Sequence, residues 1–463
     1  MNTLLTPRLG ALRLFRRRPR ADVLLAGLPQ LSVPASAIRT LTDPVVYRQQ
    51  LLAQIASARR RIHLAALYLQ DDTAGREVMD ALYQAKANHP DLDIAIFVDW
   101  HRAQRGLIGK VKSEGNAAMY REYAERFGPG VAIYGVPVKS RELFGVLHLK
   151  GFVIDDTVIY SGASLNDVYL ARHGRYRLDR YHFIESPDLA DCLSRFMLQH
   201  LRDSSAVHSL QESARPTTQE LLPDIRRFRY ELQNAQYQFP AQVPGADAVG
   251  VTPLLGCGRG GNVLNAVVMA LLRNTRQRLV ILTPYFNLPR PLRVVIGQLL
   301  QRGCEITIVV GDKTANDFYI PPDEPFKTIG LLPYLYENNL RRFAQAHSRE
   351  IGSGRLNIRL WRHADNSYHL KGVFVDDDVA LLTGSNLNPR AWTLDLENGL
   401  LLRDPHKLLL RQHEEELAAI MEHTQRLAHF TELDTPREYP PAVQKMLGRI
   451  RHIRLDRLLN RLL

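Results

Sequence analysis

Apolar and polar positions along the chain alternate between the period of a strand and that of a helix, and the same order occurs twice. In the first half, the pattern predicts a strand, a helix and a second strand at residues 61–70, 74–88 and 92–99. In the second half, it predicts the same order at residues 278–287, 291–302 and 304–312. Alternating strands and helices are typical of an α/β sheet with right-handed crossovers. The pattern therefore predicts an α/β fold that contains two similar halves.

The boundary between the halves is expected in residues 236–253, which are rich in proline and glycine. We expect four segments along the chain. They are a basic N-terminal segment at 1–40, a first half at 41–240, a second half at 250–435 and a basic amphipathic helix at 436–463.

A nearly identical segment ends the repeated pattern of each half, HLKGFVIDD at residues 148–156 and HLKGVFVDD at residues 369–377. Alternate side chains of a strand share one face, so the histidine and lysine of each copy are expected to point the same way. Asp155 and Asp376 stand between two apolar runs, where aspartate suits a hairpin turn by accepting hydrogen bonds from backbone amides. We expect both aspartates to support the site and not to carry protons.

A polar stretch closes each hairpin and places an asparagine at a similar distance from the histidine. Asn166 lies 18 positions after His148, and Asn388 lies 19 positions after His369. Asn388 is followed by proline, which is typical of a helix N-cap. Amides of this kind can converge on one phosphate together with the two lysines of the repeat, Lys150 and Lys371.

Two histidines in equivalent positions can supply a nucleophile and a general acid, because imidazole titrates near pH ~6.5. An attacking histidine needs an acceptor for its other ring nitrogen, and Asp179 and Glu397 lie suitably downstream. The pattern indicates phosphoryl-type transfer through a covalent phosphohistidine. The sequence shows no cluster of acids of the kind that magnesium sites use, so we expect neither metal nor cofactor. These residues alone do not distinguish a phosphodiester transferase from a hydrolase.

Net charge limits the classes of partner. The chain of 463 residues carries a net charge of +12, and most of the excess lies in residues 8–20 and 445–463. The nearly neutral body argues against a nucleic-acid-binding stripe. Three distant cysteines fit a reducing cytoplasm, and we find neither a membrane-spanning run nor a signal peptide. We expect a cytoplasmic protein that is peripherally associated with the inner membrane.

The paired segments match the H-x-K-x4-D motif of the phospholipase D superfamily, which occurs once in each half of its members. The resemblance implies two pseudo-symmetric halves, each a mixed sheet flanked by helices, with one active site at their interface. It implies a half-site of His148, Lys150 and Asn166 and an equivalent one in the second half. It also implies an acid behind each histidine, with His148 favoured as the nucleophile. Both halves depart from the common G-S-x-N motif of the superfamily. They read GASLN and GSNLN, so Ser164 and Asn386 stand two positions before Asn166 and Asn388.

Segments outside the motif narrow the resemblance. DWHRAQRGLIG at 99–109, YSGASLNDVYL at 160–170, DRYHFI at 179–184 and LTPYFNLP at 282–289 resemble bacterial CDP-diacylglycerol–serine O-phosphatidyltransferases. This resemblance covers the chain from about residue 40 to its end. It implies that the phosphatidyl group of CDP-diacylglycerol passes to His148 and then to L-serine, giving phosphatidylserine and CMP, while His369 moves the protons. Tyr285 and Asn287 are candidates for the substrate pocket.

The C-terminal 21 residues combine apolar positions at helical spacing with arginines. Such a helix suits an anionic bilayer surface. Four arginines are candidate membrane contacts: Arg449, Arg454, Arg457 and Arg461. The alternative is a helix whose apolar side packs on the protein and whose arginines face water.

Three rival functions stay open from the sequence. They are a phosphatidyltransferase that uses glycerol phosphate or phosphatidylglycerol, a phosphodiesterase, and a membrane adaptor without activity. Two complete half-sites count against the adaptor. The sequence does not reveal the pockets for serine and cytidine, and an oligomer is compatible with it.

Overall fold

The computed structural model describes residues 20–106, 114–321 and 323–452. The strands within these residues are β1 Leu31–Pro34, β2 Ile38–Leu41, β3 Arg61–Ala65, β4 Asp93–Asp99, β5 Ala132–Val136, β6 Gly151–Ile154, β7 Thr157–Ser161, β8 Arg177–Leu178, β9 Tyr181–Glu185, β10 His208–Ser209, β11 Ala248–Cys257, β12 Arg278–Leu282, β13 Glu305–Gly311, β14 Leu356–Trp361, β15 Ser367–Tyr368, β16 Gly372–Val375, β17 Val379–Thr383, β18 Leu396–Arg403 and β19 Thr424–Arg426.

The α-helices of the same residues connect these strands or cover their faces. They are α1 Ala21–Ala26, α2 Pro44–Ser57, α3 Thr73–Asn88, α4 Trp100–Ala103, α5 Ala117–Phe127, α6 Pro187–Phe196, α7 Leu222–Asn234, α8 Val263–Asn274, α9 Arg290–Gln301, α10 Leu332–Ala346, α11 Ser348–Gly352, α12 Pro389–Thr393, α13 Leu410–Met421 and α14 Pro441–His452.

Two large mixed sheets confirm the predicted α/β class and its duplication. The first sheet has the order β10-β5-β4-β3-β6-β7-β9-β2, and the second has the order β1-β11-β18-β17-β16-β12-β13-β14-β19. Each contains three neighbouring parallel strands, β3 to β5 or β12 to β14, followed across the sheet by an antiparallel hairpin. Strand β1, from the predicted N-terminal segment, pairs with β11 at the edge of the second sheet.

Helices α3 and α9 confirm the predicted helices to within a residue at each end. Local sequence explains such boundaries: Asp72 caps α3 by accepting a hydrogen bond from Gly75 N. Strands β3 and β12 end about five residues before the predicted strand ends. The following residues are buried loops, so their apolar character reflects burial and not strand pairing. These loops lie at the carboxyl ends of parallel strands, where α/β sheets place their sites.

Both hairpin aspartates support the turns between the repeated strands. Asp155 adopts a left-handed backbone with φ of 50°, and its carboxylate accepts from the amides of Arg59, Arg60 and Arg61. Asp376, with φ of 49°, accepts from the amides of residues 276–278 in the same way. Three charge-assisted hydrogen bonds fix each hairpin to the first residues of β3 or β12.

Helix α14 turns part of its apolar side toward the protein. Val443 and Leu447 are buried in a cluster with Tyr334 and Tyr439, so the alternative interpretation holds for these turns of the helix. Tyr334 and Tyr439 pack edge to face and provide a large apolar surface for it. Arg449 is exposed on the same helix. Three predicted membrane contacts, Arg454, Arg457 and Arg461, lie outside the described residues. Among the described helices, none is long and apolar enough to cross a membrane.

Candidate active site

Each His-Lys pair lies just before the hairpin strand that the sequence predicted it to join. Strands β6 and β16 begin at Gly151 and Gly372, directly after the lysines. These glycines have φ values of 124° and 151°, which side chains with a Cβ rarely adopt. In addition, a Cβ on Gly372 would lie 2.2 Å from Arg180 Nη1. The glycine after each lysine bends the chain out of the sheet, so the preceding residues are free to pair elsewhere.

They pair with the other half of the molecule. The amide of His148 donates to the oxygen of Leu396, the first residue of β18 in the second half, at 2.9 Å. The amide of His369 donates to the oxygen of Leu178, the last residue of β8 in the first half, at 2.9 Å. The next residue of each acceptor segment is an acid, Glu397 or Asp179. The segment that carries each His-Lys pair is therefore bonded to the opposite half of the molecule.

This exchange gives each histidine an acid from the opposite half. His148 Nδ1 lies 2.9 Å from Glu397 Oε2, and His369 Nδ1 lies 3.3 Å from Asp179 Oδ2. An acid on Nδ1 fixes the ring and leaves Nε2 to face a substrate. Both histidines are 7% exposed, and both acids are buried. The geometry fits a pair of imidazoles held rigidly in one largely dry site.

Both lysines also cross the interface. Lys371 Nζ lies 2.9 Å from Asp179 Oδ2 and contacts His369 Nδ1. A Cβ on Gly162, in the first half, would lie 2.9 Å from that same Nζ. A Cβ on Gly384, in the second half, would lie 2.6 Å from Lys150 Cγ. The glycine of each G-x-x-x-N stretch thus leaves room for the lysine of the other half.

The two asparagines cap the turns that follow the hairpins. Asn166 Oδ1 accepts from Tyr169 N at 3.0 Å, and Asn388 Oδ1 accepts from Ala391 N at 2.9 Å. Asn388 is the N-cap of α12, with proline next, as the sequence predicts. Because the amide oxygen of each asparagine is used in capping, the NH₂ group is the part of the side chain that can donate to a phosphate oxygen.

Four other residues were expected to bind substrate, and they differ in their surroundings. Ser164 is buried, 1% exposed. Asn386 accepts a hydrogen bond from Thr283 Oγ1 through its backbone oxygen. Tyr285 stacks on Tyr336 and packs edge-on to His369, with the two ring centres 6.1 Å apart. Asn287 accepts a hydrogen bond from Asn339, and no contact in the described residues joins it to either histidine.

Sequence reasoning missed three residues around His369. Tyr169 OH lies 2.8 Å from His369 Nδ1. Asp317 Oδ2 lies 3.9 Å from His369 Nε2 and accepts a hydrogen bond from Tyr285 OH at 3.1 Å. Arg177 holds the other oxygen of Asp317 at 2.8 Å. Asp317 has no counterpart in the repeated pattern, so the repeat could not indicate it. Tyr169 could be suspected, because it lies one turn after Asn166.

A buried ion pair near the site was also missed. Arg180 binds both carboxylate oxygens of Glu416 at 2.6 and 2.8 Å, and its guanidinium lies 4.6 Å from the ring centre of Phe374. Arg180 comes directly after Asp179, and Glu416 lies on α13 of the second half. In the matching position after Glu397, Asn398 exchanges two hydrogen bonds with the backbone of Lys150, at 2.9 and 2.8 Å. The residue after each acid therefore also bonds to the opposite half of the molecule.

Burial sets the protonation of the histidines. Burial, together with Lys150 and Lys371, lowers the pKa of His148 well below its usual range. Burial and Lys371 lower the pKa of His369 to about 4. Burial alone would raise the pKa of Asp179, but Lys371 and His369 outweigh it and lower that pKa to about 2. Both imidazoles are therefore unprotonated near neutral pH when no substrate is bound.

Lys371 is paired with Asp179, whereas Lys150 has no ion pair among the described residues. Burial and the neighbouring Lys371 lower the pKa of Lys150 to about 7, and burial also lowers the pKa of Lys371. Two lysines in one buried space repel each other, and a bound anion removes this cost. The site is thus built to receive negative charge between its halves. Within the described residues, no group of three or more His, Cys, Asp or Glu could hold a metal ion.

Comparisons with known proteins agree with this geometry. The family model described as "Cardiolipin synthase, PLD-like domain" matches residues 51–197 and 268–421. The chain is 48% identical, over 97% of its length and 100% of the relative's, to a CDP-diacylglycerol–serine O-phosphatidyltransferase of Haemophilus influenzae. It is 49% identical, over 96% of its length and 99% of the relative's, to the enzyme of that description from Escherichia coli.

A solved structure and a more distant relative complete the comparison. The crystal structure of phosphatidylserine synthase from Haemophilus influenzae superposes with a TM-score of 0.93 at 47% identity, covering 96% of this chain and 99% of that one. A CDP-diacylglycerol–glycerol-3-phosphate 3-phosphatidyltransferase of Saccharomyces pastorianus is 24% identical over 84% of this chain and 82% of its own length.

Proposed function

The chain belongs to the phospholipase D-like family and, within it, to the CDP-diacylglycerol–serine O-phosphatidyltransferases, and from this membership we propose that it transfers a phosphatidyl group from CDP-diacylglycerol to L-serine. The products are phosphatidylserine and CMP, and the role is phospholipid synthesis. The observation that carries the mechanism is the crossed pairing of His148 with Glu397 and of His369 with Asp179. It places two imidazoles, each oriented by an acid, beside two buried lysines.

In the first step, His148 Nε2 attacks the phosphorus that bears diacylglycerol, and the bond from that phosphorus to the oxygen of CMP breaks. Lys150 and Lys371 neutralise the phosphate oxygens, and the NH₂ groups of the two asparagines add hydrogen bonds. Glu397 neutralises the positive charge that develops on the His148 ring. CMP leaves as a phosphate, whose second pKa is near ~6, so its departure needs little help from a proton donor.

In the second step, L-serine replaces CMP. The unprotonated His369 takes the hydroxyl proton as the serine oxygen attacks phosphorus, and the bond to His148 breaks. Asp179 stabilises the imidazolium that forms on His369. The low pKa of free His369, about 4, means that the ring enters this step unprotonated, with a nitrogen that can accept the proton. When CDP-diacylglycerol binds, its negative charge raises the affinity of His369 for a proton, so His369 can also assist the departure of CMP.

The surroundings of the two rings favour His148 as the nucleophile. His369 Nε2 faces Asp317 at 3.9 Å, which stabilises a protonated ring and suits proton transfer. Among the described residues, the only carboxylate within 4.0 Å of a His148 ring nitrogen is Glu397, on Nδ1. Nε2 of His148 is therefore the better lone pair for attack on phosphorus. This assignment matches the preference that the superfamily resemblance implies.

The decisive experiment incubates the purified protein with CDP-diacylglycerol in detergent micelles, with and without L-serine. CMP release should depend on serine and should persist in EDTA. Release at the same rate without serine would identify a phosphodiesterase, and release that responds to glycerol 3-phosphate would identify the other transferase. Loss of activity in EDTA would contradict a metal-free reaction.

The nucleophile is tested separately by trapping. With substrate labelled in the diacylglycerol moiety and no serine, quenched protein should carry label on His148. The variant His369→Ala should still form the adduct, whereas His148→Ala should not. Label on His369 would reverse the roles.

The substrate also implies a place of action. CDP-diacylglycerol lies in a membrane, so the protein is proposed to act from the cytoplasm while peripherally bound to the inner membrane. The exposed Arg449 and the arginines that follow it provide the attraction to anionic lipid. Flotation with vesicles of neutral and anionic lipid tests this, and equal binding to both would contradict it.

A further inference from the structure

A polar cavity lies beside Asn166, the asparagine of the first half-site. It measures about 170 Å³ and opens at the carboxyl ends of β3 and β4. Two arginines, an acid and two amides line it: Arg102, Arg105, Asp71, Gln70 and Asn116. Its size is below the roughly 300–1,000 Å³ of pockets for drug-sized ligands, so it suits a small polar molecule.

Arg102 is the unusual member of this cavity. Its half-buried guanidinium lies 5.0 Å from the ring centre of Tyr68, and its side chain donates no hydrogen bond to any residue that the structure describes. Arg105, by contrast, binds both oxygens of Glu142 at 2.5 and 2.7 Å. Burial and the nearby Arg105 lower the pKa of Arg102. A cation in this situation is stabilised by an incoming anion.

A cation after the equivalent strand of the second half is already neutralised. Lys313 lies two residues after β13, and Arg102 lies three residues after β4. Lys313 contacts Glu337 at 3.0 Å and also pairs with Asp434. Lys313 is therefore paired with two acids, whereas Arg102 makes no ion pair with any residue that the structure describes. This difference favours the cavity of the first half as the place for an anionic ligand.

The cavity is connected to the catalytic centre by direct contacts. Gln70, which lines it, accepts a hydrogen bond from Asn166 Nδ2 at 3.5 Å. Leu69, the neighbour of Gln70, forms a parallel bridge with Leu165. A small molecule held by Arg102 would thus lie next to the asparagine of the first half-site.

We propose that this cavity binds the acceptor amino acid, with Arg102 on its carboxylate and Asp71 facing its ammonium group. The proposal rests on the proposed function, since it assigns the acceptor of that reaction to a place. Planar guanidinium binds carboxylate through two parallel hydrogen bonds. Arg76 Nε donates to Asp71 Oδ1 at 2.7 Å, which holds the carboxylate in position. The hydroxyl of serine then extends past Gln70 toward the phosphorus and His369.

The test is the variant Arg102→Gln, assayed for CMP release with each substrate varied in turn. Losing a bidentate, charge-assisted contact should raise KM for L-serine on the order of 10- to 100-fold. KM for CDP-diacylglycerol should stay the same, as should the melting temperature. Arg102→Lys keeps the positive charge but cannot form two parallel hydrogen bonds, so it should recover only part of the lost affinity for serine. The control is Arg126→Gln, which removes an exposed arginine of α5 that does not line the cavity.

A second measurement separates binding from damage to the fold. L-Serine methyl ester has no carboxylate, so Arg102→Gln should affect L-serine more strongly than the ester. A raised KM for CDP-diacylglycerol with an unchanged KM for serine would assign the cavity to the liponucleotide and overturn the proposal. Equal effects on both substrates, or none, would also overturn it. If the unaltered protein released no CMP in response to serine, the proposed function itself would fail, and this inference with it.

Discussion

Burial and the neighbouring Asp395 raise the pKa of Glu397 well above its usual range, so Glu397 carries a full charge only when the His148 ring becomes a cation. Replacing Glu397 by glutamine removes that charge while it keeps the shape of the side chain. Its carboxylate lies 2.9 Å from His148 Nδ1. At that distance and an effective dielectric constant of ~20, a full charge on the ring would interact with Glu397 by about 5.7 kcal/mol. A neutral amide still offers one hydrogen bond, worth ~1.5 kcal/mol. The difference of about 4 kcal/mol corresponds to roughly a 10³-fold slower formation of phosphatidyl-histidine.

The assay is a single turnover with excess Glu397→Gln protein over CDP-diacylglycerol, followed by acid quenching and measurement of CMP. The matched variant Asp179→Asn removes the acid behind the other histidine. In Glu397→Gln the first step should be slow, so little adduct accumulates. In Asp179→Asn a larger share of the loss should fall on the step that uses serine, so adduct should persist.

Two results would refute this reasoning. A Glu397→Gln protein within about threefold of the unaltered rate would show that the carboxylate does not neutralise the ring. Adduct that accumulates in Glu397→Gln and not in Asp179→Asn would show that the histidines have the opposite roles.

Three further predictions concern the packing of a lysine against a glycine of the other half, the pH dependence of the reaction and a buried ion pair between the halves. Gly384→Ala should lower kcat on the order of 100-fold, because its Cβ would lie 2.6 Å from Lys150 Cγ, whereas Gly352→Ala, with nothing within 4 Å, should have no effect in the same CMP assay. The profile of kcat/KM against pH should fall below about 4, where His369 is protonated, and above about 7, where Lys150 loses its proton. A bound phosphate should move the alkaline limit of kcat upward. Identical alkaline limits for kcat and kcat/KM would contradict a role of Lys150 in binding the phosphate. Glu416→Ala should lower the free energy of unfolding by roughly 3–5 kcal/mol in urea denaturation, since it leaves Arg180 buried and unpaired, and a change below about 1 kcal/mol would contradict this.

The sequence was sufficient for the order of elements and for the pairing of motifs. Helices α3 and α9 follow from apolar periodicity and from local signals such as the cap at Asp72. The hairpin positions follow from Asp155 and Asp376, because aspartate tolerates the left-handed backbone that these turns require. Such features depend on residues near one another in the chain, so a pattern can reveal them.

The pairing of each histidine with an acid of the opposite half could not be predicted in this way. Glu397 could orient the histidine of its own half or that of the other, and both choices agree with the same repeat. The choice depends on how Gly151 and Gly372 bend the chain and on which surfaces the two sheets bury. Asp317 was missed for a related reason: it lies in a loop of the second half outside the repeated segments, and its importance comes from its distance to His369.

The residues of the site bond to one another across the interface between the two halves, so the site and the interface form one structure. Each histidine receives its acid from the opposite half, and each lysine passes over a glycine of that half. A shift of one half against the other would therefore misplace all four groups together. Duplication by itself, however, supplies two equivalent histidines, and the reaction needs a nucleophile and a base. Asp317 and Arg177 provide the difference, because they give His369 a second carboxylate that His148 lacks among the described residues. In the proposed mechanism, the unlike roles of the two histidines thus follow from Asp317 and Arg177, which surround His369 and not His148 among the described residues.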